Sequence, residues 1–144
     1  MNAKEYLNQA YRLDQRISSK LEQVAALRSL TQKITVSYEG EAVSRTRNVS
    51  SMEDTIIRLM EAEKELNAAI DALVDLKQNV YATIQKVEKP EYQFLLEMRY
   101  LCFKTWAEIA DQMHLEEHYV FRVHGQALRE VEKILQRSKE DSKR

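Results

Sequence analysis

Apolar residues recur in steps of three and four through most of this chain, and the places where the rhythm stops divide it. Ala10, Leu13, Ile17, Val24, Leu27 and Ile34 form one row, with Lys20 and Thr31 as polar members, so the spacing predicts a single helix over about residues 2–35. A second row, Ile56, Leu59, Leu66, Ile70, Leu73, Val80, Ile84 and Val87, keeps heptad register through Glu63 and Lys77 and predicts a helix of about five heptads. Ser51 with Asp54, or Ser50 with Glu53, can cap its start. Between the rows, residues 37–50 (SYEGEAVSRTRNVS) hold Gly40 among small polar residues, which predicts a flexible connection. Two helices of similar length, each roughly 50 Å at about 1.5 Å per residue, are most economically an antiparallel hairpin over residues 1–89. The rows then serve as its inner seam, and their polar members set register rather than bind a ligand. Ala25, Leu30, Met60, Val74, Leu76 and Tyr81 lie off the rows and widen the apolar faces, which predicts a homodimer or higher oligomer.

Lys89 and Pro90 mark the next boundary, since proline disfavours helix at the residue before it and suits the first turn of a new one. Residues 91–102 predict a third helix with Leu95, Met98, Leu101 and Cys102 inward, and Trp106 closing a small core. Thr105 and Glu108 form a capping box for a helix over 106–113. After a short turn a further helix runs from Glu117 to about Gln136, before the charged tail SKEDSKR frays. With Ala110 as the small residue where these last two helices touch, Ile109, Met113, Leu115, Val120 and Val123 fall where a helix-turn-helix unit needs apolar side chains. The expected architecture is all-α: a coiled-coil hairpin over 1–89 for dimerisation or interaction, a three-helix head over 90–137, and a charged tail over 138–144.

Composition agrees with helix throughout, because the chain has only two glycines and one proline in 144 residues. Net charge is −1, which gives no long-range pull on a polyanion. Locally, residues 122–144 hold seven basic and four acidic side chains, an excess that can serve phosphates. Charged residues interrupt the first thirty positions and no long apolar run exists, so a cytoplasmic protein with no membrane partner is expected. The lone Cys102 reads as a buried, reduced thiol in the same compartment.

The string LLEMRYLCFKTWAEIADQMHLEEHYVFRVHGQALREVEKIL resembles the fourth region of sigma-70 family factors at Arg99, Tyr100, Thr105, Trp106, Glu108, Ile109, Ala110, Val120, Ala127 and Leu128. It is also similar to a family of small proteins from phages and prophages of Gram-positive bacteria, through Val120-Phe121-Arg122-Val123-His124-Gly125. That resemblance covers residues 50–135. It implies a late-gene transcription regulator whose partner is double-stranded DNA, and RNA polymerase as a second possible partner. Two positions depart from the sigma pattern: His114 stands where the turn usually has glycine, and Glu116-Glu117-His118 occupies the tip of the helix that would enter the major groove.

On this reading Arg122, Gln126 and Arg129 contact bases, His118 opens the outward stripe they share with Phe121 and Gly125, Tyr119 is a further DNA-contact candidate, and Arg99, Lys104 and Lys133 hold phosphates. Phe121, outward in the stripe, turns back onto Trp106, with a thymine methyl or a dimer surface as the other options. The alternative to DNA binding is a coiled-coil adaptor that binds polymerase or another regulator, which the acidic tip permits. No HExxH or CxxC spacing joins His114, His118 and His124, so no metal or other cofactor is expected. Neither a phosphate loop nor a nucleophile arrangement occurs, so the chain is not expected to be an enzyme.

Overall fold

The computed structural model describes the backbone of residues 1–40 and 45–144, and the side chains of these except 35, 37–40 and 45–49. The described residues form five α-helices and no strand: α1 (Ala3–Gly40), α2 (Arg45–Gln85), α3 (Pro90–Tyr100), α4 (Trp106–Met113) and α5 (Glu117–Ser142). None is long and apolar enough to cross a membrane. The chain groups into two compact units, a head unit of Met1–Leu13 with Leu73–Arg144 and a hairpin unit of Asp14–Ala72. This grouping cuts across a boundary at Lys89, because Ala3, Leu7, Val80, Ile84 and Val87 belong to the same core cluster as α3–α5.

In the hairpin unit the paired residues fix the chain direction. Lys20 Nζ meets Glu65 at 3.2 Å and Arg28 meets Glu63 at 2.8 Å. Partner numbers fall along α2 as they rise along α1, so the two helices run antiparallel. Each pair has one exposed and one half-buried member, reaches solvent, and contributes about 1 kcal/mol or less. Ile17, Val24 and Leu66 are buried, and Lys20, Leu27, Thr31, Ile34 and Leu59 half-buried, so the inner row follows the expected seam at these positions, while Glu63 lies half-buried on its flank. Ile70 departs from it. It is exposed while Ala69 is half-buried, because a helix of about 3.6 residues per turn drifts against a strict seven-residue repeat.

Residues 37–40 and 45–50 of the expected connection are helical. α1 continues to Gly40 and α2 starts at Arg45, so Ser50 and Ser51 are interior to α2 and do not cap it; the rest of that connection, 41–44, lies outside the described residues. Ser, Tyr, Thr and Asn cost less than about 0.7 kcal/mol each against Ala in a helix, and extending a formed helix is far easier than nucleating one.

In the head unit, α1 starts with a reciprocal cap: Asn2 Oδ1 accepts from the Glu5 N–H at 2.9 Å and Glu5 accepts from the Asn2 N–H at 3.3 Å. α3 begins at Pro90 and ends at Tyr100, earlier than expected, so Cys102 is an exposed thiol in the following turn rather than a buried one. That turn forces Phe103 to φ 57°, a left-handed backbone costing roughly 1–2 kcal/mol. The Phe103 ring is held edge-on to Tyr11 at 5.6 Å, with Lys77 Nζ 4.7 Å from its centroid, which offsets the strain.

Thr105 accepts from the Glu108 N–H at 3.2 Å and starts α4. His114 ends it at φ 56°. Its N–H reaches the Asp111 carbonyl while the Leu115 N–H reaches that of Ala110, a Schellman closure in which histidine takes the left-handed place glycine would fill. Ile109, Ala110 and Val120 are buried, with Met113, Leu115 and Val123 packed on them. α5 does not fray at the expected tail: it runs to Ser142, whose hydroxyl donates to the Ser138 carbonyl at 3.0 Å. The two lysines, the arginine and Glu140 of that tail are good helix formers.

Candidate functional site

α5 has two sides. Val120, His124, Ala127 and Val131 are its buried row. His118, Arg122, Gln126, Arg129 and Lys133, spaced by four, four, three and four, are all exposed and fall on the other side. At about 1.5 Å per residue this row extends over roughly 22 Å. Gln126 stands at its edge, where its Oε1 accepts from the Tyr92 hydroxyl at 3.0 Å; α3 therefore orients the amide and leaves its NH₂ outward. Lys133 is 3.4 Å from Glu130 on the next turn back, a pair weak enough to exchange for another anion. Arg122 and Arg129 are exposed with no ion pair among the described residues.

At the start of α5, the rings of His118 and Tyr119 lie 4.4 Å apart, tilted by 37°, both exposed. His118 Nδ1 lies 3.3 Å from Glu116, whose own side chain makes no capping bond. The N-cap and first turn thus carry Glu116 and Glu117 beside a histidine that can offset one of them only when protonated.

Beneath this row the support is aromatic. Trp106 packs edge-on against Phe121 at 5.2 Å and His124 at 4.6 Å; Phe121 turns onto Trp106 as its sequence context suggests. Arg99 lies 4.4 Å over the Trp106 ring and donates to the Lys104 carbonyl at 2.9 Å. Arg99 is therefore a brace between α3 and the start of α4 rather than a free phosphate ligand, since reaching outward would cost both contacts. Lys104 contributes its backbone to that brace, its N–H also donating to the Met98 carbonyl at 3.0 Å, and its side chain is half-buried.

His124 Nε2 and the Tyr100 hydroxyl are 2.6 Å apart inside the core. Burial, with the positive charges of Lys4 and Arg99 adding to it, pushes the His124 imidazole down to about 4; burial pushes the Tyr100 phenol up to about 12, opposed by Arg99. Both groups are neutral at pH 7, so the contact is an uncharged hydrogen bond locking α3 to α5. Among the described residues no group of three His, Cys, Asp or Glu is placed to hold a metal ion.

Sequence reasoning missed the first residues of the chain. The Ala3 N–H donates to Glu132 at 2.8 Å, so the positive end of α1 is seated on α5. Lys4 then lines, with Arg129, Leu128 and Glu132, a shallow concavity of about 290 Å³. The Asn2 and Glu5 cap was a local signal for a helix start, but the contact spans 129 positions and no short-range pattern encodes it.

Residues 33–132 match the profile of a family described as "Protein of unknown function (DUF1492)". No curated protein and no solved structure matches the chain.

Proposed function

The chain belongs to the DUF1492 family, whose function is unknown, and we propose that it is a sequence-specific DNA-binding transcription regulator of phage type. On this reading α4 and α5 form a helix-turn-helix resembling the fourth region of sigma-70 factors, and α5 enters the major groove. Residues 90–137 are the DNA-reading domain and the helices before them the interaction region. The observation that carries the proposal is the exposed row of His118, Arg122, Gln126, Arg129 and Lys133 opposite the buried row of α5. Arginine forks suit guanine, and the outward NH₂ of Gln126, whose Oε1 is held by Tyr92, can donate to a purine N7. Lys133, and Lys4 beside Arg129, suit phosphates.

The test is binding of the full chain to duplex DNA from upstream of its own gene. Replacing Arg122 and Arg129 together by alanine removes two contacts worth about 1–3 kcal/mol each and weakens the preferred site about 100-fold. Unchanged affinity in that variant, with the head still folded, overturns the assignment.

A second reading is favoured by Glu116 at the N-cap and Glu117 in the first turn of α5, which repel phosphates. On that reading the same head binds RNA polymerase or another regulator and never touches DNA. Retention by polymerase, with no DNA complex even at low salt, selects it.

A further inference from the structure

The hairpin unit presents on one side an apolar surface that its own two helices leave open, and we propose that this side is the contact between two copies of the chain, packed two-fold. α2 carries two adjacent heptad rows here. Thr55, Leu59, Ala62, Leu66 and Ala69 are buried or half-buried. The positions just after them, Ile56, Met60, Glu63, Asn67 and Ile70, form a second row in which Met60 is 64% and Ile70 38% exposed. Glu63 locates the matching face of α1, because Arg28 reaches it at 2.8 Å. Ala25 and Leu21 stand three and seven residues before Arg28, on the same helix face, and Leu21 is 50% exposed. The Lys20–Glu65 pair lies on the other flank, since Glu65 precedes the buried row where Glu63 follows it.

Two arguments choose a second copy as the occupant. The first is burial. Among the described residues of this unit only Ile17, Val24 and Leu66 are buried apolar side chains, and two helices become a bundle with an enclosed core only when further helices cover them. A second hairpin supplies two. The second argument is charge. The patch has Arg28 and Glu63 at its middle, one of each sign, and a two-fold axis running along the helices sets the arginine of one copy against the glutamate of the other, which makes the face self-complementary. A strongly acidic or basic partner finds no net charge there to answer. Asn67 in the exposed row is the kind of polar member that fixes register in such seams. The proposal is independent of what α5 binds.

Sedimentation equilibrium of the full chain tests it. Wild type should have twice the 16.9 kDa chain mass. Met60→Glu with Ile70→Glu should weaken the dimer about 100-fold or more, while Leu30→Glu and Ile57→Glu, at exposed positions off this side, should leave it unchanged. A monomeric wild type, or a dimer that survives the first variant and is lost in the second, overturns the proposal. Should the first variant lose helicity, amide exchange of wild type at about 1 and 100 μM decides. Protection gained on association should map to residues 21–28 and 56–70, and protection confined to the head unit refutes the contact.

Discussion

The head and hairpin units are built from the same repeating apolar pattern and reach different outcomes. In the head, Leu95, Leu96, Ile109, Val120, Ala127 and Val131 are all fully buried, enclosed by α3, α4, α5 and by Ala3 and Leu7 from the start of α1. In the hairpin unit the same kind of row yields three buried apolar side chains among the described residues, with the rest half-open. The difference lies in the number of helices meeting at each row: several surfaces enclose a core, and two make only a seam. A unit with a closed core can hold a row of exposed side chains in fixed geometry. A unit with an open seam leaves apolar side chains half-covered, which is the surface the two-fold contact proposed above would use.

The strongest way to break this contrast is to cut a cavity in each unit. Ile109→Ala should lower the head's unfolding free energy by about 2–5 kcal/mol. Ile17→Ala should cost clearly less, because its row is half-open and can relax around the lost methyls. Urea unfolding measures both, and equal losses would erase the distinction.

Acid separates the units next. Above about pH 6.5 His124 is neutral both folded and unfolded; as pH falls below that, the unfolded imidazole takes a proton that the folded one refuses until about 4. The head is therefore at full stability above that interval and loses it progressively downward, by an amount on the order of 2 kcal/mol. His124→Gln, which can still accept from Tyr100, should flatten the dependence. The same slope in the variant would place the titration elsewhere.

Smaller effects sharpen the picture. Thr105→Ala removes the cap of α4 and should cost about 1 kcal/mol, read as a lower head midpoint; a cost near zero would mean that packing alone fixes this helix start. Smallest is Lys4→Ala. If Lys4 joins Arg129 on a phosphate, the variant should bind all duplexes slightly less well and lower the salt slope by about 1. An unchanged slope would leave Lys4 as a charge near His124 only.

The local signals in the sequence were the most legible. The Thr105 and Glu108 box and the apolar positions from Ile109 to Val123 correctly bound α4 and the start of α5, because capping and helical periodicity act within one or two turns. Arg99 was not legible as a brace. Its contact with Trp106 depends on the left-handed turn at Phe103, and a phenylalanine carries no local preference for that conformation. Residues 37–40 and 45–50 read as connection because glycine and small polar residues weaken helix, yet the helices on either side extend through them. Ala3 and Leu7 continue the row that begins at Ala10, but their burial against α5 is a long-range event that no spacing within α1 foretells.

The central claim, that α5 presents its arginines to a DNA backbone and groove, is tested most directly by the salt dependence of binding. Three to five engaged phosphates predict that log K falls against log salt with a slope of about −2.7 to −4.5 for the full chain on its upstream duplex. Arg122→Ala with Arg129→Ala should reduce both that slope and the preference for the site. A slope near zero, or one that the double variant leaves untouched, contradicts the account.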